Sequence, residues 1–163
     1  MVMGIAAMNS TTQLKQRQRK DYPYILEYRT RWADNDMYDH MNNSVYNFLF
    51  DSVINTYLME HCGLKPPTSA QHPLMAHTHC DYFSAISFPQ VAELCLRVNR
   101  LGKSSVTYEV GLFEKGVENV KAVGAFVHVF VERSTLRPHA NGMNTQLRNG
   151  LERLATGKQS SNL

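Results

Sequence analysis

The sequence is poor in cysteine and has no long apolar run. Its three cysteines, at positions 62, 80 and 95 of 163 residues, form no Cys-x-x-Cys pair. Their number is odd and their spacing is wide, so they do not make a disulfide framework, and we expect a reducing compartment. No apolar run approaches the roughly 18 residues that a membrane-spanning helix needs. The sequence therefore predicts a protein without a membrane partner.

The chain also has little excess charge of either sign. Its formal net charge is +3 at pH 7. Proteins that bind nucleic acid carry clustered basic residues on one face, and this mild charge gives no support for such a surface. We expect no nucleic-acid partner, although the charge is compatible with a small polyanionic ligand such as a nucleotide cofactor.

Several familiar motifs of hydrolases and metal sites are missing. The sequence has no His-Glu-x-x-His and no Gly-x-Ser-x-Gly, so metalloprotease and serine-hydrolase mechanisms lack support. His77, His79 and Asp81 do alternate in a strand-like segment, which places three potential metal ligands on one face. Side chains two apart on a strand stand about 7 Å apart and reach one ion awkwardly. We therefore expect no metal site.

Length and composition predict one globular domain, which we place at residues 21–157. Hydrophobic residues make up 43% of the chain and charged residues 19%, an ordinary globular balance. Residues 1–20 contain four Lys and Arg and no acidic residue, which indicates a disordered basic leader or a weak targeting segment. Residues 158–163 are expected to be a disordered tail. We expect a cytoplasmic location, with the mitochondrial matrix as the alternative.

Hydrophobic periodicity predicts a strand, one long helix, four more strands and a short helix. The first strand covers residues 25–32. Residues 33–43 hold three Asp and three Asn, a composition typical of turns and helix caps. A helical pattern then runs from Ser44 to about His61. The later strands are predicted at residues 74–83, 91–101, 104–114 and 120–133, and a short amphipathic helix follows Pro138.

The long helix is apolar over most of its circumference, apart from a narrow strip of Asn47, Asp51 and Asn55. Such a helix must be covered on most sides, so we predict an α+β fold in which an antiparallel five-stranded sheet wraps around it. His128 in the last strand is expected to be a core histidine with its hydrogen bonds satisfied. The outer face and the edge strand of the sheet need further cover, which predicts a homodimer or a homotetramer.

Residues 32–46 read Trp-Ala-Asp-Asn-Asp-Met-Tyr-Asp-His-Met-Asn-Asn-Ser-Val-Tyr. This segment closely resembles the D-x-D-x-x-G-H-x-N-N-x-x-Y signature of hotdog-fold thioesterases, the 4-hydroxybenzoyl-CoA thioesterase-like family. The resemblance runs from about Tyr24 to Pro138 and includes the turn at residues 101–105. It implies the hotdog fold and acyl-CoA thioesterase activity. Asp39 departs from the signature, because it stands where the pattern has Gly and adds a charge beside the site.

The resemblance assigns the chemistry to the connection between the first strand and the long helix. Asp36 matches the family's catalytic Asp and would be a nucleophile or a general base; a turn-forming role is its alternative. Backbone N–H groups near Asn43 and Ser44 would stabilise the oxyanion, and His40 would orient Asp36, contact the thioester or serve a structural hydrogen bond. The substrate-binding candidates in this segment are Asp34, Asn42 and Tyr46, with loop-holding, capping and core roles as their alternatives.

Turns at strand ends are the predicted contacts for the phosphates of CoA, because a charge can be used there without being buried. The alternative is an ordinary solvated basic surface. The predicted phosphate clamp consists of Lys103, Ser104, Ser105, Arg133 and Arg137.

The predicted reaction is hydrolysis of an acyl-CoA to a carboxylic acid and CoA. It needs no cofactor, since CoA is part of the substrate. An acyl-carrier-protein thioesterase and a non-catalytic acyl-CoA-binding protein are the alternatives. The acyl group stays open, because the aromatic lining from Tyr46, Phe48, Phe50 and Tyr57 suits aryl and fatty groups alike.

Overall fold

A computed structural model describes residues 10–155 of the chain. Within that range an antiparallel five-stranded sheet packs against one long helix, which confirms the predicted α+β architecture. The elements in chain order are α1 (Thr11–Leu14), β1 (Tyr24–Arg29), α2 (Asn43–His61), β2 (Gln71–Tyr82), β3 (Val91–Leu101), β4 (Ser105–Glu114), β5 (Val120–Glu132) and α3 (Thr145–Glu152).

The sheet has the strand order β1-β3-β4-β5-β2, with every neighbouring pair antiparallel. β3, β4 and β5 are interior strands, and their near-continuous apolar stretches fit burial on both faces. β1 and β2 are the two edges. β2 follows α2 in the chain but crosses to the far edge beside β5, so one backbone edge of 12 residues has no strand partner within residues 10–155.

Helix α2 lies on one face of the sheet and forms the main core with it. The side chain of Asn42 caps its first turn by accepting a hydrogen bond from the Ser44 N–H at 3.0 Å. Gly63 follows its end at φ 68°, a conformation that glycine adopts without steric cost. No helix in residues 10–155 is long and apolar enough to cross a membrane. The buried face of α2 carries Tyr46, Leu49, Phe50, Val53, Ile54, Tyr57 and Leu58.

The single chain covers only one side of α2, whereas the sequence predicted cover on most sides. Phe48 is 72% exposed and Met59 46% exposed on the open side. Met75 of the edge strand β2, on the same side of the sheet as α2, is also 44% exposed. Apolar side chains in this number on one helix face and the adjoining strand mark a surface for protein association.

A β-bulge in β2 changes which side chains share a face. Strict alternation predicted Leu74 on the face of Cys80 and Tyr82, opposite His77. The pairing with β5 shifts between Met75 and His77, and an extra residue at a bulge inverts the alternation beyond it. Met75 therefore faces α2 together with Cys80 and Tyr82, and Leu74 lies on the outer face with His77.

The segment before β1 is folded onto the outer face of the sheet in residues 10–20, part of the stretch that the sequence predicted as a disordered basic leader or a weak targeting segment. α1 is only four residues long, too short for a periodic signal in a sequence window. Residues 1–9 and the predicted tail at 158–163 lie outside the described residues. Leu14 of α1 is buried in a second apolar cluster with Tyr22, Cys95, Phe113, Val120 and Val123.

Glu109 on β4 is the buried charge that fixes this segment. Its carboxylate accepts hydrogen bonds from Arg17 Nε at 2.7 Å and Nη2 at 3.0 Å. The Tyr22 hydroxyl at 3.0 Å and Asn99 Nδ2 at 2.9 Å also donate to it, and the positive charge of Arg97 acts on it as well. Burial acts to raise the pKa of Glu109, but the bonds from Arg17 and Asn99 outweigh it and hold the pKa below its usual 4.5. A buried carboxylate with this many donors is fully compensated.

His128 on β5 is in the core, as predicted, but its hydrogen bonds are not satisfied. It is 3% exposed, and its ring packs edge-on against Tyr108 with the centroids 5.3 Å apart. His128 Nδ1 and the Tyr108 hydroxyl have no hydrogen-bond partner within residues 10–155. Burial lowers the pKa of His128 to about 4, so the imidazole is neutral at pH 7.

The buried histidine predicts a loss of stability on mild acidification. Between pH 6.5 and pH 4 the unfolded chain binds the His128 proton and the folded chain does not, so the free energy of unfolding falls as the pH falls. We expect a loss of about 2 kcal/mol between pH 7.5 and pH 5, measured by urea unfolding. The loss should shrink in His128→Phe and persist in the exposed control His77→Gln. An unchanged pH dependence in His128→Phe would contradict this account.

The three cysteines are free thiols that packing makes unreactive. Burial raises the pKa of Cys62 and of Cys80 to about 11, and that of Cys95 to about 12. A thiol of such high pKa carries almost no thiolate at pH 7, and the thiolate is the reactive form. None of the three is suited to be a nucleophile.

Candidate active site

The connection between β1 and α2 contains a closed loop, residues 35–41, which we call the Asp36 loop. Its ends meet in an antiparallel bridge between Asn35 and Met41. The Asp36 N–H donates to the His40 carbonyl at 2.8 Å, and the Met41 N–H donates to the Ile86 carbonyl at 2.8 Å. The many Asp and Asn residues here favour such a turn. The loop therefore has a defined shape directly before the first residue of α2.

The Asp36 carboxylate is held by the backbone of its own loop. Oδ1 accepts the Tyr38 N–H at 2.7 Å and, at a longer 3.4 Å, the His40 N–H. The residue is partly buried. Oδ2 receives no hydrogen bond from residues 10–155. One oxygen therefore fixes the carboxylate, and the other is free to act on a substrate or a water molecule.

The start of α2 offers one free amide rather than two. The Ser44 N–H, which the sequence suggested as a free donor, is already bound to Asn42 Oδ1. The Asn43 N–H donates to no group within residues 10–155. As the first residue of a 19-residue helix, it lies at the positive end of the helix dipole. The candidate oxyanion donor is therefore the Asn43 amide alone.

Two tyrosines form a wall beside the first turn of α2. Tyr46 is 3% exposed, and its ring is perpendicular to that of Tyr82 with the centroids 5.1 Å apart. The Tyr82 hydroxyl is 3.5 Å from the Asn43 carbonyl oxygen. Burial raises the pKa of both phenols, that of Tyr82 to about 12, so both are neutral hydrogen-bond donors at pH 7. Sequence reasoning missed Tyr82 as a site residue, because nothing in the sequence marks which strand end meets the helix start.

Asp34 stabilises the connection between β1 and α2 through hydrogen bonds to its buried carboxylate. It is 1% exposed, and its carboxylate accepts hydrogen bonds from the Tyr28 hydroxyl at 2.8 Å and from the Arg31 N–H at 2.7 Å. Arg31 Nε and Nη2 add two more, at 3.1 and 2.8 Å. Burial acts to raise the pKa of Asp34, but the bonds from Arg31 and Tyr28 lower it overall. Contact with a substrate would require breaking this set, so the geometry disfavours the substrate-binding role.

His40 is exposed, and its imidazole makes no hydrogen bond within the described residues. Its main-chain groups both contact Asp36, since its carbonyl accepts the Asp36 N–H and its N–H points to Oδ1. The side chain therefore does not orient Asp36 in this structure. It remains free for a substrate at the same edge of the loop.

The predicted phosphate clamp lies at the other end of the sheet. Tyr82 and Gln71 mark the two ends of β2, and they pair with Ala122 and Glu132 of β5. Ala122 and Glu132 are ten residues apart along β5. At about 3.3 Å per residue, the two ends of the β2–β5 pair are about 33 Å apart. Within one chain, Asp36 and the clamp therefore lie at opposite ends of the sheet.

The clamp residues themselves have different environments. The Arg133 guanidinium donates to the carbonyls of Ser69 at 2.9 Å and Pro66 at 2.5 Å, so it holds the loop after α2. Lys103 and Arg137 are exposed, and neither side chain forms an ion pair within residues 10–155. Lys103 and Arg137 are therefore better placed for phosphate than Arg133. Ser104 and Ser105 are half-buried in the β3–β4 turn.

The His77, His79 and Asp81 face does not assemble a metal centre. His79 Nε2 is 3.9 Å from Asp81 Oδ2, and the rings of His77 and His79 are 5.7 Å apart. No group of three or more His, Cys, Asp or Glu side chains within residues 10–155 is placed to hold a metal ion. These side chains lie on the outer face of the edge strand β2.

Comparison with known proteins places these features in a family. The model of the thioesterase superfamily matches residues 38–121. The crystal structure of the PA5185 protein from Pseudomonas aeruginosa strain PAO1 is 44% identical and covers 85% of this chain and 95% of its own, with a TM-score of 0.81. The chain belongs to the thioesterase superfamily. Its hotdog fold, which the signature in residues 32–46 implied, is thereby confirmed.

More distant structures share the superfamily fold. A predicted thioesterase from Bacillus stearothermophilus is 20% identical, covers 81% of this chain and 96% of its own, and has a TM-score of 0.69. The SAV2348 protein from Staphylococcus aureus, solved in complex with CoA, is 16% identical, covers 80% and 82%, and has a TM-score of 0.72. No curated protein sequence gives a significant match to the chain.

Proposed function

We propose that this member of the thioesterase superfamily hydrolyses an acyl-CoA thioester to a carboxylic acid and CoA. The proposal rests on two groups that lie close together in the chain. The Asp36 loop fixes one carboxylate oxygen of Asp36 and leaves Oδ2 without a hydrogen bond from residues 10–155. The helix that follows begins at Asn43, whose N–H has no acceptor within the same residues. Thioester hydrolysis needs these two groups, a carboxylate and an oxyanion donor. The solved complex of SAV2348 with CoA supports CoA as the thiol part.

Two routes use the Asp36 carboxylate. In the first, an Asp36 oxygen attacks the thioester carbonyl carbon, the C–S bond breaks, and the CoA thiolate takes a proton from solvent. Water then hydrolyses the mixed anhydride and restores the carboxylate. In the second, the carboxylate accepts a proton from a water molecule whose oxygen attacks the same carbon. The resulting tetrahedral intermediate breaks its C–S bond, and the departing CoA thiolate takes the proton back from Asp36. Both routes develop negative charge on the carbonyl oxygen, which the Asn43 N–H would stabilise.

The acyl group would lie against the tyrosine wall of Tyr46 and Tyr82, with Leu49 and Phe50 deeper in the core. His40 would contact the thioester from the loop side. Asn42 would act indirectly, since its side chain is used in capping Ser44 and sets the direction of the helix start. Asp34 would keep the loop in place from below through Tyr28 and Arg31.

The phosphates of CoA would be bound by a second subunit. The exposed backbone edge of β2 favours antiparallel pairing with the same strand of a second copy about a two-fold axis. Such pairing places the clamp end of one subunit next to the Asp36 end of the other. The open side of α2, with Phe48 and Met59, would be covered in the same contact. We therefore propose a homodimer, or a homotetramer built from two such dimers, as the active form.

An acyl-carrier-protein thioesterase and a non-catalytic acyl-CoA-binding protein are the two alternatives. An acyl-carrier-protein substrate would need a broad basic surface at the entrance of the site. The Asp36 loop carries the carboxylates of Asp36 and Asp39 instead. Non-catalytic binding would leave the free Oδ2 of Asp36 without a role.

One assay separates the three functions. The same acyl group is supplied as a CoA ester and as a carrier-protein ester, and thiol release is followed with a colorimetric reagent while binding is measured by calorimetry. The proposal predicts repeated turnover with kcat/KM at least ten-fold higher for the CoA ester. A preference for the carrier-protein ester would support the first alternative, and tight CoA-ester binding without thiol release would support the second.

A further inference from the structure

Asp39 has a backbone conformation that most residues avoid. Its φ is 61°, in the left-handed region that glycine adopts freely and that costs other residues about 1 kcal/mol. Its carbonyl accepts a hydrogen bond from the Ser87 hydroxyl at 2.5 Å, which holds the strained peptide in place. A glycine would satisfy this geometry without strain, so the side chain at this position is the feature to explain.

The side chain adds a second negative charge to the Asp36 loop. Asp36 Oδ1 is hydrogen-bonded to the N–H of Tyr38 and of His40, the residues on either side of Asp39. The two carboxyl groups therefore belong to one five-residue turn. Neither forms an ion pair with a residue in the described range 10–155, and Asp39 is exposed. The negative charge of this turn is thus not compensated by an ion pair within residues 10–155.

We infer that Asp39 is a specificity-determining residue that disfavours acyl groups carrying a negative charge, so that neutral acyl-CoA esters are the substrate class of this site. The inference rests on the proposed thioesterase function and deepens it. With the thioester carbonyl at Asp36, a carboxylate at the far end of the acyl group is a few methylene groups away from the two like charges of the turn and is repelled by both. A neutral alkyl or aryl group meets no such repulsion.

The expected effect is moderate, because the turn is exposed to solvent. Two like charges several ångströms apart near a protein surface change an equilibrium about three- to ten-fold. Salt should reduce this effect, since the Debye length at 0.15 M is only about 8 Å. A role of Asp39 in backbone geometry alone would show neither the charge selectivity nor the salt dependence.

Two variants separate the charge from the backbone. Asp39→Asn removes the charge and keeps a side chain that tolerates the left-handed conformation, and Asp39→Gly removes both the charge and the strain. Each is compared with wild type on adipoyl-CoA, which carries a terminal carboxylate, and on heptanoyl-CoA, a neutral ester of similar length. The measured quantity is the ratio of kcat/KM for heptanoyl-CoA to that for adipoyl-CoA, at 20 mM and 300 mM salt.

We expect the ratio to fall about three- to ten-fold in both variants at low salt, and the difference from wild type to shrink at high salt. An unchanged ratio in Asp39→Asn would overturn the inference, as would a change in Asp39→Gly only, which would assign the effect to the backbone. Wild type that releases no thiol from either ester would instead contradict the proposed function. The two failures are therefore distinguishable.

Discussion

Asp36→Asn should lower kcat/KM for acyl-CoA hydrolysis by roughly a hundred- to ten-thousand-fold, the range for a positioned acid or base. The amide oxygen of Asn can still accept the Tyr38 N–H that Asp36 Oδ1 accepts at 2.7 Å, so the loop should keep its shape. The substitution removes the charged oxygen that would attack the carbonyl carbon or take a proton from water. Steady-state thiol release measures the effect.

The matched control for this prediction is Glu118→Gln. Glu118 is an exposed acidic residue in the turn between β4 and β5, and its neutralisation changes the net charge by the same amount. Its turnover should equal that of wild type within about two-fold, the usual outcome for a surface change away from the site. Full activity in Asp36→Asn, with an unchanged melting temperature, would contradict the assignment of Asp36.

Arg17→Met should destabilise the fold by about 3–5 kcal/mol, because it leaves Glu109 as a buried charge without its main partner. Arg17 supplies two of the hydrogen bonds to that carboxylate, at 2.7 and 3.0 Å, and Met fills a similar volume. The hydrogen bonds from the neutral Tyr22 and Asn99 would remain, together with the positive charge of Arg97. Urea unfolding at pH 7 measures the loss.

Two companion variants test the mechanism of that loss. Lys20→Met removes a charge from the same segment at an exposed position and should change stability by less than about 0.5 kcal/mol. Arg17→Met combined with Glu109→Leu should recover part of the stability, because the buried charge is removed. The recovery should be incomplete, since the Tyr22 hydroxyl and Asn99 Nδ2 lose Glu109 as their acceptor. A loss below 1 kcal/mol in Arg17→Met would mean that residues 10–21 do not pack on the sheet as described.

The sequence was sufficient to predict the architecture, because the spacing of hydrophobic residues indicates which faces of helices and strands are buried. α2 is apolar around most of its circumference, which predicted that a sheet covers it. The centre of β5 is apolar on both faces, which predicted an interior strand, and β5 is interior in the observed strand order. The cap and the turn before α2 followed from the Asp and Asn residues of the connection. These features depend on local composition, which a single sequence contains.

What the sequence could not predict depends on contacts between distant residues. Arg17 and Glu109 are 92 residues apart in the sequence. The residues around Arg17 therefore give no sign that it pairs with a buried carboxylate on β4. The bulge after Met75 inverts the faces of β2 without a glycine to mark it. The separation of the phosphate clamp from Asp36 follows only from the register of β2 with β5.

The most direct test of the central claim is a crystal structure of the protein with a non-hydrolysable acyl-CoA analogue, in which a methylene group replaces the thioester sulfur. We predict that the analogue's carbonyl carbon lies about 3–3.5 Å from an Asp36 oxygen, and that its carbonyl oxygen lies about 2.7–3.1 Å from the Asn43 nitrogen. An analogue bound with its carbonyl away from both groups would contradict the account.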